Sequence, residues 1–321
     1  MDVKDFEAQV KSERTRHIKS AYDLADASFK KLKYHEKENS DFKTDASEMI
    51  VSLRADCWDS FKALEKEFTS NMLDLLIDDP GFAATVSHMN SRDALKEFAR
   101  KYPDHLYKLN LSNTQSRRTR AGKEFEAIIE MILLGAGIRL DSQANLGKKE
   151  FQDKGLGKLV DIVIPGMLEY SIAKHKTIIL SSKTSLRERW AEVIEETSTT
   201  GSGHIYLATL DDSLSRENIL RLVQNNIILV VLEDIKSRVY GSDPNILSFE
   251  EFIQECVQKI NYWTVEKYDS DQKEIKKSSI RKQIKKHEIG RGRKKSPKHN
   301  FTHAKLFKCL IGFQIKLADS L

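Results

Sequence analysis

The chain has 321 residues, enough to bury a substantial core in one large domain or two moderate ones. No apolar run is long enough to cross a membrane, and the charged start, MDVKDFEAQVKSERTRH, is unlike a secretory signal, so membrane-spanning and exported classes are set aside. Cys57, Cys256 and Cys309 are far apart and odd in number, which gives neither a disulfide framework nor zinc spacing and suits a reducing cytoplasm. The net charge of +5 hides an uneven distribution, because Glu266 to Asn300 hold 13 Lys/Arg against 5 Asp/Glu.

From the N-terminus, VKDFEAQVKSERTRHIKSAYDLADASFKKLKY and ASEMIVSLRADCWDSFKALEKEFTSNMLDLLIDD place apolar residues three and four apart over several turns. NSRDALKEFARKY predicts a shorter helix capped by Asn90 or Ser91. Residues 1–112 thus read as a helical region. The texture changes after Ser112: TRAGKEFEAIIEMILLGAGIRL predicts a helix stopped at Gly135 or Gly137. Short runs rich in Ile, Val and Leu follow, in GKLVDIVIPG, HKTIILSSK, GHIYLATL and NNIILVVLED, with helices expected near 187–198, 213–224 and 248–260. Buried strands alternating with helices predict an α/β core over 113–263, its sheet covered on both faces. Beyond it, 264–321 reads as a basic tail with few large apolar residues to bury. Two roles fit that tail, a solvated extension and an electrostatic arm for nucleic acid. The last apolar patch, AKLFKCLIGFQIKL, reads as a terminal helix.

The chemistry concentrates on two strands and the helix after them. Asp161 interrupts LVDIVIP, where a carboxylate needs a cation, a donor or water to stay ionised. Lys183 ends TIILSSK, and two strands joined by a loop would bring both groups to one sheet edge. A lysine beside a metal-bound carboxylate can orient water and stabilise charge on a phosphate. The plain alternative for a bare Asp–Lys pair is a structural ion pair. On the next helix Leu186, Trp190, Val193, Ile194 and Thr197 form one packed arc with Glu196 at its border, placing Glu196 best as a second carboxylate; Glu192 and Glu195 serve if the helix starts irregularly. Asp161, Glu196 and waters would suit Mg²⁺, a hard ion that retains water. Arg187, Glu188 and Arg189 match the donor and acceptor edges of G·C pairs, arginine on guanine and glutamate on cytosine. Standing alone, the same triplet is a charged first helical turn.

Together, Asp161, the SSK ending in Lys183, the RERW that follows and a glutamate on the next helix resemble the PD-(D/E)XK nuclease fold. More narrowly they resemble the SsoII/EcoRII/NgoMIV branch of Type II restriction endonucleases, and within it the SsoII-like cutters. In that branch the strand acid is supplied by the following helix: Ser181 occupies the vacated place and Glu196 substitutes, while Val160 replaces the superfamily's proline. The resemblance implies a mixed sheet flanked by helices, Mg²⁺-dependent cleavage of double-stranded DNA at CCNGG before the first cytosine, and five-nucleotide 5′ overhangs. It implies Asp161 and Glu196 as metal ligands, Lys183 as a catalytic residue, and Glu126 contributing directly or through water. It further implies that Arg187, Glu188 and Arg189 read the half-site and that Arg54 and Trp58 flank an extruded central base. Gln115 would touch the minor groove, and Arg117, Arg118 and Arg120 the phosphates. A palindromic site implies a homodimer, or a tetramer on DNA, and a companion cytosine methyltransferase. Two alternatives remain beside this reading: a DNA-binding protein with an inactive site, and a repair nuclease of the same fold.

Overall fold

The computed structural model describes residues 1–156, 160–186, 193–194 and 203–289; for Val265 and residues 282–289 it describes the backbone alone. The chain opens with α1 (Val3–His17), α2 (Ala21–Lys31), α3 (Asn39–Thr44) and α4 (Ala46–Ile77), then α5 (Pro80–Val86), α6 (Ser91–Lys101) and α7 (Pro103–Gly135). The first predicted helical stretch is therefore two helices, broken where Ile18 turns to extended backbone. Asp2 caps α1 by accepting from the Asp5 N–H, and Asn90 caps α6 by accepting from that of Asp93. After α7 come β1 (Asp141–Ser142), α8 (Gln143–Leu146), α9 (Lys148–Asp153), β2 (Ile162–Ile164), α10 (Met167–Ile172) and β3 (Ile178–Lys183). Next are β4 (Ile205–Thr209), α11 (Arg216–Gln224), β5 (Ile227–Val231), β6 (Ile246–Ser248), α12 (Phe249–Tyr262) and α13 (Ser270–Ile289).

Two compact units divide this chain. One comprises Met1–Ser28 and Leu53–Glu124, the other Phe29–Ser52 and Phe125 onward. The texture change at Ser112 thus lies inside α7, within the first unit. Local polarity explains the apparent break: Ser112 and Asn113 both accept from the Arg14 guanidinium, at 3.2 and 2.5 Å, and Asn113 Nδ2 donates to Thr69 Oγ1 at 3.2 Å. The same guanidinium lies 4.3 Å from the Phe68 ring centroid. Around this polar patch the unit's core is aromatic and aliphatic, built from Phe6, Val10, Phe61, Phe68, Met72 and Tyr102.

The second unit carries a six-stranded mixed sheet in the order β1-β2-β3-β4-β5-β6. β1, β2 and β3 pair antiparallel; β3 to β6 pair parallel, as long crossovers allow. Strands β2 to β5 match the predicted apolar runs. Their side chains, with Phe151, Leu186, Val193, Leu222 and Ile235, make a continuous buried core. Ser248 and Glu251 form a reciprocal capping box that starts α12. No helix among the described residues is long and apolar enough to cross a membrane.

The region after Trp263 departs from the reading of a tail that buries little. Residues 270–289 form α13, and Lys276 and Ile280 are buried. Lys276 Nζ lies 2.7 Å from Glu169 Oε1, which also accepts from the Tyr268 hydroxyl at 2.7 Å. Burial opposes ionisation of Glu169, but the Lys276 ammonium and the Tyr268 hydroxyl outweigh it and hold the carboxyl below its ordinary range. Gly166 makes this approach feasible, because a Cβ there would meet Asp141 Oδ2 at 2.7 Å and Glu169 Oε2 at 2.9 Å. Residues 290–321, with Cys309 and the expected terminal helix, lie outside the described residues.

Candidate active site

Asp161 and Lys183 come to the same sheet edge because β2 and β3 are antiparallel neighbours, with Ile162 opposite Leu180 and Ile164 opposite Ile178. Asp161 immediately precedes β2 and Lys183 is the last residue of β3, so both stand at the same end of adjacent strands. The sequence suggests that Asp161 interrupts the strand; instead it forms the entry to it. Its N–H donates to the Leu180 carbonyl at 3.0 Å, and its own carbonyl accepts from the Gln143 N–H at 2.9 Å. Gln143 also donates through Nε2 to the Val160 carbonyl at 2.7 Å. The backbone under the carboxylate is thereby fixed from both sides.

The carboxylate itself is oriented by Ser182, whose N–H and Oγ both donate to Oδ2, at 2.7 and 2.8 Å. Oδ1 takes neither bond. Burial pushes the Asp161 pKa up; the Lys183 ammonium, the two Ser182 donors and Lys148 oppose that rise without cancelling it. The donor chemistry fits a hard divalent cation, since a carboxylate whose Oδ1 takes neither Ser182 bond is a ligand type such an ion takes. Among the described residues no group of three or more His, Cys, Asp or Glu forms a metal cluster. Glu196, together with Arg187, Glu188, Arg189, Glu192 and Glu195, lies outside the described residues. The expected helix arc is represented by three of its members: Leu186 and Val193 are in the core and Ile194 packs against it.

Glu126 lies half-buried on α7, in the same compact unit as Asp161 and Lys183. One turn later Glu130 is buried and accepts from Asn145 Nδ2 at 2.7 Å. Sequence reasoning passed over Glu130, although the Glu126–Glu130 spacing puts both on one helical face. Ser182 and Asp211 were also missed, being small or isolated polar residues at strand ends.

The remaining expected contacts belong to the other unit. Trp58 is 44% exposed on α4, which favours an indole available to a partner over a core indole. Phe61 and the Lys62 ammonium approach it, with Nζ 5.9 Å from the ring centroid. Arg54, one turn before it, is half-buried; burial lowers its pKa against the opposing pull of Glu124. Gln115 and Arg118 are exposed on α7. Arg117 binds Glu65 Oε2 through Nε at 2.8 Å and Nη2 at 2.5 Å. Arg120 donates to the Lys19 carbonyl at 2.5 Å and lies 4.7 Å from the Phe61 centroid. Of the three arginines expected at phosphates, two are thus engaged within the fold.

The sequence and fold are similar to those of known proteins. The family described as EcoRII C terminal matches residues 84–253. Type II restriction enzyme SsoII of Shigella sonnei is 42% identical over 283 residues, covering 88% of this chain and 92% of that protein. The structure of metal-depleted Ecl18kI in complex with uncleaved, modified DNA superposes with a TM-score of 0.84 at 36% identity, covering 97% of this chain and 99% of that one. A second Ecl18kI complex, metal-depleted with uncleaved DNA, gives 0.83 at 37% identity over 97% and 100%. A PspGI–substrate DNA complex, 19% identical over 78% of this chain and 96% of that one, shares the fold at a TM-score of 0.55. With the strand-end Asp161 and Lys183 in a mixed six-stranded sheet, this chain belongs to the EcoRII C-terminal family and is a homologue of the Type II restriction enzymes.

Proposed function

We propose that this protein is a Type II restriction endonuclease that hydrolyses double-stranded DNA at CCNGG, before the first cytosine, leaving five-nucleotide 5′ overhangs. The observation that carries the reading is the pairing of Asp161, oriented by Ser182, with Lys183 at one end of β2 and β3. The relation to SsoII, and the Ecl18kI complexes with DNA, support DNA as the substrate. Asp161 and Glu196 would hold Mg²⁺, and the metal-depleted state of the Ecl18kI complexes supports dependence on a metal. When bound, the ion supplies Lewis-acid stabilisation of charge on the phosphate oxygens. Lys183 orients the attacking water, with Glu126 as a further carboxylate at the site. Arg187, Glu188 and Arg189 read the G·C pairs in the major groove, Gln115 reaches the minor groove, and Arg54 and Trp58 flank an extruded central base. A two-fold homodimer would cut both strands of the palindrome, with a cytosine methyltransferase protecting host sites.

The test is digestion of a plasmid with Mg²⁺ and the full chain, followed by sequencing of the ends. Discrete fragments whose ends all derive from CCNGG support the reading. Cleavage at a different fixed sequence overturns the site assignment, cleavage at nicks or junctions points to a repair nuclease, and no cleavage with retained DNA binding points to an inactive binder.

A further inference from the structure

Asp211 follows β4 by two residues and is buried, yet its carboxylate serves a different part of the chain. Oδ2 accepts the Leu186 backbone N–H at 2.8 Å and lies 3.4 Å from Ser185 Oγ. Oδ1 accepts the Ser213 N–H at 3.0 Å and its hydroxyl at 2.5 Å. The Asp211 backbone is held as well: its N–H donates to Thr209 Oγ1 at 3.1 Å, and its carbonyl accepts the Tyr240 hydroxyl at 3.1 Å. A carboxylate fixed in this way can act as an anchor. What it anchors is Ser185–Leu186, the exit from β3 immediately before Arg187.

We propose that Asp211 is a positioning residue for base recognition, fixing the backbone at Ser185–Leu186, which immediately precedes the proposed reader triplet Arg187, Glu188 and Arg189. This rests on the proposed role of that triplet as the base reader. Up to Lys183 the chain is held by the β3–β4 ladder, where Lys183 pairs in register with Thr209. Beyond it the ladder ends, and the Asp211 carboxylate takes over at the Leu186 N–H. Bidentate reading of a base edge tolerates displacements of only about 0.5 Å. A bond to the backbone N–H adjoining the readers therefore acts on all three together, whereas the lysine keeps its own support. The expected consequence is a separation of roles, with Asp211 controlling discrimination and the strand ladder controlling the chemical step.

The experiment compares Asp211→Ala, Asp211→Asn and Arg187→Ala with the natural chain. Binding is measured by anisotropy without metal on a CCNGG duplex, duplexes with one guanine replaced, and a random duplex; kcat and KM are then measured with Mg²⁺. For Asp211→Ala the ratio of cognate to one-base-altered affinity should fall about tenfold or more, the scale of one lost guanine contact. Affinity for random duplex should stay within about twofold, and KM should change more than kcat. Asp211→Asn offers one acceptor oxygen in place of two and should also lose discrimination, so it carries the test if the alanine variant does not fold. Unchanged discrimination in a folded Asp211 variant, while Arg187→Ala loses it, overturns the positioning role and leaves the triplet reading intact. Unchanged discrimination in Arg187→Ala overturns the triplet reading itself and removes the basis for this one.

Discussion

Replacing Lys276 by methionine should destabilise the protein by about 3–5 kcal/mol at neutral pH, the usual cost of stranding one member of a buried ion pair. The pair qualifies: the side chains of Lys276 and Glu169 are 7% and 0% exposed, and Nζ and Oε1 are 2.7 Å apart. Methionine keeps most of the aliphatic stem, so the loss is mainly electrostatic. Its pH dependence follows from the two states of Glu169. With Lys276 present the carboxyl is held below its ordinary range, so its stabilising contribution is full above the unfolded value near 4.3 and is lost as pH falls through the folded value. Without Lys276, burial should lift the same carboxyl above 4.3, and the variant should lose stability as pH rises through that window. The difference between the two proteins should therefore grow from about pH 4 to pH 7. Urea unfolding of the full chain, at fixed protein concentration and followed by circular dichroism, measures it. Lys276→Met combined with Glu169→Gln should recover much of the loss, since the uncompensated charge is removed. A loss under about 1 kcal/mol that is flat with pH would show that the pair behaves as a solvated surface bridge and that α13 is not held in place by it.

Lys183→Ala should abolish Mg²⁺-dependent cleavage while leaving cognate binding nearly unchanged; undiminished cutting in a plasmid assay would remove the lysine from the site. Trp58→Ala should reduce cognate affinity by about 1–3 kcal/mol and alter the fluorescence of 2-aminopurine at the central position, whereas an identical signal would exclude stacking on this indole. Gly135→Ala should cost about 1–3 kcal/mol in urea unfolding, because the new Cβ falls 2.5 Å from the Phe42 ring and that ring is stacked on Phe29. A neutral outcome there would mean that the Phe29–Phe42 pair shifts freely.

The central strands were legible because β2 to β5 carry runs of Ile, Val and Leu that are buried on both faces. β1 and β6 are not legible in the same way, since Asp141–Ser142 and Ile246–Ser248 stand in no comparable run of Ile, Val and Leu. The helix end at Gly135 was legible as well, and Gly137 beyond it has a positive φ of 79° that glycine adopts without strain. Ser112 and Asn113 resemble a break because their polarity is satisfied across the unit by Arg14 and Thr69, which no local window reveals. α13 is hidden for a similar reason: a lysine counts as surface by composition, and only the distant Glu169 makes Lys276 a buried residue. In the site, Asp161 is legible as a carboxylate interrupting one apolar run and Lys183 as the cation ending another. Ser182 and Asp211 could not, since a serine in a strand and an aspartate after one are common, and their partners lie 21 and 25 residues away.

Ser181 has a consequence for how such enzymes diversify. It is fully buried in β3, and its Oγ has no hydrogen-bond partner among the described residues. In the nuclease pattern that this segment resembles, the strand position would bear the acid. Returning an acid here would require added volume and a compensating cation in a closed space, in the same step. Handing the acid to a helix requires neither. With the acid carried by the following helix, as proposed, single substitutions there would leave the strand untouched, whereas any at Ser181 would have to repack a closed core.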